Sequence, residues 1–147
     1  MAEALGSAYV VHLDDFILKD KLSEPSWEEG FDGNRLAEQV LKSLGSGQGV
    51  RHQQLLYESN TLGNIQMISP VEYLIVEGIS SSHPDIAMYY DYKIWVDMPI
   101  DVAKARGKAR DAGNENESMW DLCAENDLKY VAQHNPEAIA DIIVNGY

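Results

Sequence analysis

Short apolar runs that end in an acidic residue constrain the fold of this chain more than any other feature of its sequence. The clearest is Tyr73–Ser80, in which four apolar or aromatic residues lead into Glu77 and a glycine. A continuous apolar run of this length, followed by turn residues, predicts a strand buried on both faces, as in a parallel sheet. Two other runs repeat the pattern: Tyr9–Leu13 before Asp14 and Asp15, and Tyr92–Val96 before Asp97. A fourth run, Ile142–Val144, ends in Asn145. Ligands bind at the carboxyl ends of parallel strands, so the sequence predicts an acidic pocket at one edge of a sheet.

The segments between these runs predict helices and loops. Helical spacing of apolar residues is present at 34–44, 101–112 and 117–133, while Val50–Tyr57 is typical of a short strand or extended segment. Residues 58–69 are polar and rich in turn formers, so we expect no regular element there. Strands that alternate with helices are typical of βαβ units, and the sequence therefore predicts an α/β fold with a twisted parallel sheet.

The totals indicate one acidic globular domain. A chain of 147 residues with 45% hydrophobic residues is long enough to bury a core. Its net charge of -13 argues against nucleic acid or an anionic membrane as the main partner, because both bind clustered cations. The single cysteine, Cys123, has no cysteine or histidine at ligand spacing, so we expect neither a disulfide framework nor a zinc site. No apolar run approaches the length of about 20 residues that spans a bilayer, and no signal peptide is evident, so we expect a cytoplasmic protein.

One cluster of basic residues interrupts this acidic background. Lys104, Arg106, Lys108 and Arg110 lie within seven residues, and the two arginines are four apart, on one helix face. The cluster is either a solvated face paired with local acids or a guanidinium clamp on phosphate, for which the planar fork of arginine is suited.

The acidic residues at the strand ends also have two interpretations. Asp14 and Asp15 are either turn caps or a general base and magnesium ligand, and Glu77 at the neighbouring strand end would hold the metal directly or through water. Acidic strand ends beside an arginine-rich helix match the requirements of a phosphoryl-transfer site. Three aromatic residues in the long connections either stack on a base or cover the core: Trp27, Phe31 and Tyr57.

Several motifs in a fixed order carry a family resemblance. They are V-V-H-L-D-D-F at 10–16, F-D at 31–32, Tyr57, L-I-V-E-G-I at 74–79, D-Y-K-I-W-V-D at 91–97 and R-G-K-A-R-D at 106–111. With these motifs the chain resembles the uridine kinase-like branch of the phosphoribulokinase/uridine kinase family of P-loop kinases. The resemblance implies a three-layer α/β/α fold and the transfer of phosphate from ATP, with Mg²⁺, to a small-molecule hydroxyl, most closely that of a nucleoside such as uridine or cytidine.

The resemblance also implies roles for individual residues. Asp14 matches the base that acts on the acceptor hydroxyl, with Asp15 beside it, and Glu77 matches the acid near magnesium, which Asp14 would share. The remaining matches are the lid arginines that close over the ATP phosphates, Arg106 and Arg110, and the positions that shape the acceptor pocket, Phe31, Asp32 and Tyr57. Asp15 and Ile17 stand where many nucleoside kinases have serine and tyrosine, which leaves the acceptor open.

The start of the chain departs from the family. The family begins with a strand, a glycine-rich loop with Lys-Ser or Lys-Thr, and a helix, whereas the 147 residues contain no such motif and Met1–Gly6 resembles the end of that helix. We therefore expect residues 1–147 to form a single kinase-like domain that is truncated at its N-terminus. The absent strand would lie between the strands that end at Glu77 and Asp97, and an unpaired sheet interior would favour a homo-oligomer.

Two other functions stay open at this stage. A non-catalytic kinase-like fragment or binding module accounts for the absent phosphate loop. A flavodoxin-like or receiver-type domain would also place acids at strand ends, but it gives no reason for the arginine cluster.

Overall fold

The computed structural model describes residues 6–18, 30–46 and 49–146. The expected helix end at Met1–Leu5 and the side chain of Trp27 lie outside the described residues. The strands are β1 (Ala8–His12), β2 (Val50–Leu56), β3 (Thr61–Ile68), β4 (Tyr73–Glu77), β5 (Ile94–Asp97) and β6 (Ile142–Asn145). The α-helices are α1 (Gly33–Gln39), α2 (Pro84–Ala87), α3 (Ile100–Arg110) and α4 (Trp120–His134). Four 3₁₀ turns complete the described elements: Leu13–Phe16, Leu41–Ser46, Glu115–Met119 and Pro136–Ile139.

The four acid- or amide-tipped strands pair in parallel, as the sequence predicts. The expectation that they are buried on both faces was wrong, because most of their residues are half-buried or exposed. β1 pairs with β4, and the register places His12 opposite Glu77. β5 pairs with β6, and the register places Asp97 opposite Asn145. The carboxyl ends of the two members of each pair therefore lie at one edge. Within the described residues, β4 and β5 are not hydrogen-bonded to each other, so the parallel strands form two pairs rather than one continuous sheet.

An antiparallel hairpin was not expected from the sequence. β2 and β3 pair from Val50 and Ile68 to Leu56 and Thr61, so the expectation of an irregular segment at 58–69 was wrong. Most of β3 is exposed, and Ile65 and Met67, which alternate with polar residues, are each 61% exposed rather than buried. Backbone pairing to β2 stabilises it instead, and Asn60 provides the left-handed conformation, at φ 48°, from which β3 begins.

The hydrophobic core lies around β1, α1 and the base of the hairpin. Its cluster of buried side chains comprises Val11, Leu13, Phe16, Leu36, Val40, Leu41, Val50, Ile68 and Ile86. The helix predicted at 34–44 is observed as α1, Gly33–Gln39, followed by the 3₁₀ turn Leu41–Ser46. Its N-cap is Asp32, whose carboxylate accepts a hydrogen bond from the backbone N–H of Arg35 at 2.9 Å. The end of β1 and the turn that follows it are thus anchored in the best-packed part of the chain.

The arginine-rich helix α3 packs on the start of α4 through a glycine. A Cβ at Gly107 would lie 2.4 Å from ring carbons of Trp120, so only glycine permits this approach of the indole. α4 ends at Asn135, which is left-handed at φ 46°. In the part of the chain that the structure describes, no helix has the length and apolar character needed to cross a membrane.

Candidate active site

The turn Leu13–Phe16 presents two carboxylates at the end of β1. Leu13 and Phe16 are buried at its two ends, so the short turn between them has little freedom. The side chain of Asp14 is exposed, whereas Asp15 is only 8% exposed. The same turn therefore offers one accessible acid and one that belongs to the interior.

Two side chains from distant elements hold the backbone carbonyls of this turn. The hydroxyl of Tyr57, which follows β2, donates to the carbonyl oxygen of Asp14 at 2.9 Å. The guanidinium of Arg35 in α1 donates to the carbonyl oxygen of Asp15. Successive peptide groups of the turn are thus each held by a side-chain donor from another part of the fold.

Several charges converge on the carboxylate of Asp14. The protein around it displaces water and raises its pKa, and the negative charges of Glu77 and Asp15 raise the pKa further. His12 and Arg110 oppose this increase. The fold thus brings together acids from the ends of β1 and β4 and an arginine from α3.

Glu77 has a partner on the adjacent strand. Its Oε1 lies 2.5 Å from Nδ1 of His12, the residue opposite it in the parallel register. Both side chains are more than half exposed. His12 is thus hydrogen-bonded at the end of β1, beside the candidate site.

Asp15 faces the interior and a buried imidazole. Its Oδ2 lies 3.7 Å from Nε2 of His52, which is 1% exposed. Burial raises the pKa of Asp15 and lowers the pKa of His52, so the environment favours the neutral form of both groups. The His52 ring stacks on Phe16, with ring centres 6.3 Å apart. This geometry makes Asp15 a structural neighbour of the accessible acid.

The two arginines of α3 have different surroundings. Arg110 forms a fork with the carboxylate of Asp111, with N–O distances of 3.0 and 3.1 Å, and its guanidinium lies 5.3 Å from the centre of the Trp120 ring. Trp120 also donates to Asp111, at 2.8 Å. Arg106 instead donates to the carbonyl oxygen of Gly146 at 2.8 Å. The charge of Arg110 acts on the carboxylate of Asp14. Arg106 instead contacts the residue that follows β6.

The lysines of the basic cluster have an acidic partner on α4. Lys104 and Lys108 lie 3.1 and 2.8 Å from the carboxylate of Asp121. The lysines therefore pair with an acid on the next helix, and Arg110 pairs with the local acid Asp111. This pairing is what the interpretation as a solvated face predicts, and the lid role of the two arginines stays a prediction.

The predicted acceptor-side residues Phe31, Asp32 and Tyr57 lie close to the turn Leu13–Phe16. Phe31 forms an isolated antiparallel bridge with Ile17 and packs against the core. Asp32 caps α1, and its Oδ2 lies 3.6 Å from Nε of Arg35. Tyr57 contacts the Asp14 turn directly. All three therefore surround the turn, and their roles in acceptor binding stay predictions.

The acids at this edge suit a hard cation with few protein ligands. Within the described ranges, no group of three or more histidine, cysteine or acidic side chains has the geometry of a metal centre. Magnesium usually takes only one or two protein carboxylates and completes its shell with water and phosphate oxygens. Asp14 and Glu77 fit that donor set, because their mutual repulsion is what a divalent cation would relieve.

Sequence patterns missed Arg35, His12 and His52 as neighbours of the site. The position of Arg35, three residues after Asp32 at a helix start, was the one local signal available. His12 could have been paired with Glu77 by aligning the ends of the two predicted strands. Nothing local indicates the contact between His52 and Asp15, which are brought together by the hairpin.

Comparisons with known proteins identify the family and the fold of the chain. The sequence profile of the phosphoribulokinase/uridine kinase family matches residues 29–144. No curated protein matches the chain by sequence.

Among solved structures, a protein described as a possible uridine kinase from Bacillus stearothermophilus is 18% identical, with a TM-score of 0.64 over 93% of this chain and 71% of that chain. A protein provisionally assigned as a fructose transport system kinase from Silicibacter sp. TM1040 is 22% identical, with a TM-score of 0.69 over 97% of this chain and 77% of that chain. At these identities the likeness shows the fold, which is that of a P-loop kinase.

Proposed function

Because the chain belongs to the phosphoribulokinase/uridine kinase family, we propose that it transfers the γ-phosphoryl group of ATP to a hydroxyl of a small molecule, with a nucleoside as the first candidate acceptor. The observation that carries the proposal is the parallel register of β1 and β4, which places Glu77 opposite His12, two residues before Asp14. The charges of Glu77 and Arg110 both act on the Asp14 carboxylate. This arrangement supplies a base, a candidate metal site and a cation for phosphate oxygens, which are the requirements of phosphoryl transfer.

Asp14 is the proposed general base. Its exposed carboxylate would accept the proton of the acceptor hydroxyl while the new O–P bond forms and the bond to the ADP oxygen breaks. The raised pKa makes it a better proton acceptor than an ordinary aspartate. Asp15 is too buried to contact an acceptor in this arrangement, so we assign it a supporting role beside Asp14.

The remaining groups bind and orient. Glu77, together with Asp14, would hold Mg²⁺, which supplies charge neutralisation at the phosphates when bound. Arg110 would contact phosphate oxygens from α3, held by Asp111 and Trp120 until the nucleotide binds. Phe31, Asp32 and Tyr57 would line the acceptor side of the turn.

A sugar is the second acceptor class to examine. The two solved neighbours are described as a possible uridine kinase and a possible fructose transport kinase, so their names differ in acceptor. Both acceptor classes offer a hydroxyl to a carboxylate base, and the proposed chemistry is the same for each.

The test measures ADP release by the natural full-length gene product. Its intact mass is first compared with the 16.4 kDa of these residues, so that any further segment is included in the assay. ADP release with Mg²⁺–ATP is followed with uridine, cytidine, pantothenate and fructose. Asp14→Asn should lower kcat by about 10²–10⁴-fold, the usual contribution of a general base. The exposed acid Asp91 gives the matched control, Asp91→Asn, which should retain activity.

Two results would contradict the proposal. One is the absence of acceptor-dependent ADP release from the folded full-length protein. The other is an Asp14→Asn variant with wild-type kcat. If calorimetry also detects no binding of Mg²⁺–ATP, a non-catalytic binding module becomes the better description.

A further inference from the structure

We propose that Arg35 is a positioning residue that fixes the turn carrying Asp14 and Asp15 and so aims the Asp14 carboxylate at the acceptor. The expected effect on kcat rests on the proposed phosphoryl transfer. The claim that Arg35 holds the turn rests on the geometry alone. No sequence motif pointed to Arg35.

The guanidinium of Arg35 connects three elements at one point. It donates to the carbonyl oxygen of Asp15 in the turn and, at 3.0 Å, to the carbonyl oxygen of Gln53 in β2. It lies 3.6 Å from the carboxylate of Asp32 at the start of α1 and 4.4 Å from the centre of the Phe16 ring. The turn, the hairpin and α1 therefore share a single charged side chain.

The contact with Asp15 acts on the direction of Asp14 because a peptide group is planar. The carbonyl of Asp15 is held by Arg35, and the carbonyl of Asp14 is held by Tyr57 and by the backbone N–H of Ile17 at 3.3 Å. When two successive peptide planes are held, the dihedral angles between them are fixed as well. The Cα of Asp14 lies in the first of these two planes, so the point from which its side chain extends toward the acceptor is held in place with the turn.

The burial of Arg35 supports this role. Its side chain is only 12% exposed, and burial lowers its pKa, while the charges of Asp32 and Asp15 oppose that shift. A buried charge is no better for stability than a well-packed apolar side chain of similar volume. What the guanidinium adds is its fork, which bonds two carbonyls in fixed directions, and a lysine cannot reproduce this.

The positioning role predicts a specific kinetic pattern. A displacement of about 1 Å at a reacting group costs about 10²-fold in rate. Arg35→Lys keeps the charge but loses one of the two carbonyl contacts, so kcat should fall by about 10–100-fold. The KM for ATP should stay within about twofold, because the nucleotide is bound by other elements.

The experiment compares Arg35→Lys, Tyr57→Phe and the double variant in the full-length protein. Arg51→Lys, on the exposed face of β2, is the matched control and should behave as wild type. If both residues hold the same turn, the double variant should lose less activity than the product of the two single losses. Thermal unfolding of each variant separates a loss of activity from a loss of folded protein.

A second measurement is independent of catalysis. The ¹³C shifts of the carbonyls of Asp14 and Asp15, recorded by NMR, should change in Arg35→Lys and stay unchanged in Arg51→Lys. This readout applies even if no acceptor is phosphorylated, so failure of the proposed function and failure of the positioning role are distinguishable.

Three outcomes would overturn the inference. The first is a folded Arg35→Lys variant with wild-type kcat. The second is a loss of activity fully explained by the unfolded fraction. The third is a set of carbonyl shifts at Asp14 and Asp15 that does not respond to Arg35→Lys.

Discussion

At the scale of one residue, the charge on Asp14 that the proposed function requires lowers the stability of the fold. The carboxylate stands among protein atoms and two other acids, and its pKa is raised first by the displacement of water and then by Glu77 and Asp15. An acid whose pKa is raised in the folded state binds protons more readily there than in the unfolded chain. Its ionised form therefore opposes folding at neutral pH.

This imbalance gives a prediction for Asp14→Asn. The variant should unfold at a higher temperature than wild type at pH 7, by up to about 3 °C, because it removes a charge that the fold disfavours. The gain should shrink as the pH falls through the raised pKa and vanish below the ordinary aspartate value of about 3.9, where both side chains are neutral. Calorimetric scans from pH 3 to 8 measure it, and Asp91→Asn is the control. A variant that is less stable than wild type at pH 7 would contradict the prediction.

Gly107 carries a second prediction at this scale. Alanine normally stabilises a helix relative to glycine by about 1 kcal/mol. Here the added Cβ would lie 2.4 Å from the indole of Trp120, so Gly107→Ala should instead lower the free energy of unfolding by about 1–3 kcal/mol. Denaturant unfolding measures the change. In a Trp120→Leu background the cost should largely disappear, and a cost that persists there would show that the indole is not its cause.

At the scale of elements, α1 is held in place by its first residues. Asp32 caps the helix through the N–H of Arg35 and also faces the guanidinium of Arg35. Asp32, which was predicted to bind the acceptor, therefore also contacts the guanidinium that holds the turn after Asp14. The two roles can be separated by substitution.

Asp32→Ala and Asp32→Asn should differ in stability. Alanine removes the cap and should lower the free energy of unfolding by about 1 kcal/mol, whereas asparagine caps nearly as well as aspartate. If Asp32 also contacts the acceptor, Asp32→Asn should raise the KM for the acceptor at nearly unchanged stability. Unfolding curves and acceptor titrations give the two readouts. Equal stability of the two variants would show that the cap contributes little.

At the scale of the whole molecule, packing is uneven. The buried cluster is drawn from residues 11–86. The parallel pair β5 and β6 keeps exposed apolar side chains, at Ile94, Val96, Ile142 and Ile143. Parallel strands are normally covered on both faces, so this part of the chain has surface that further polypeptide or a second copy would bury.

Hydrogen exchange should follow this difference. We expect backbone amides of β1 and β4 to exchange at least about tenfold more slowly than those of β5 and β6, which corresponds to about 1.4 kcal/mol in the free energy of opening. Native-state exchange monitored by mass spectrometry measures it on the monomer, with sedimentation as the check on association. Equal protection of the two strand pairs would contradict the prediction.

The family and the fold class could be predicted from the sequence, and the family profile and the fold of the solved neighbours confirm both. The fold class followed from local patterns, because strands within a parallel sheet are apolar along their length and a helix repeats its apolar face. The family followed from motifs in a fixed order, such as V-V-H-L-D-D-F at 10–16 and L-I-V-E-G-I at 74–79. The hairpin strand β3 escaped prediction since its apolar residues do not form a buried face, Ile65 and Met67 being largely exposed, and it is stabilised by pairing with β2. The roles of the candidate site residues stay predictions.

The sequence by itself determined the parallel strands with their acidic ends, the helices and the family. Only the tertiary structure decided which polar groups meet. His12 and Glu77 are 65 positions apart, Tyr57 and Asp14 are 43 apart, and Arg35 and Asp15 are 20 apart. Their contacts depend on strand register and on the path of the hairpin, and no local periodicity encodes either of these. The geometry around Asp14 is therefore a property of the fold, although each residue in it was present in the sequence from the start.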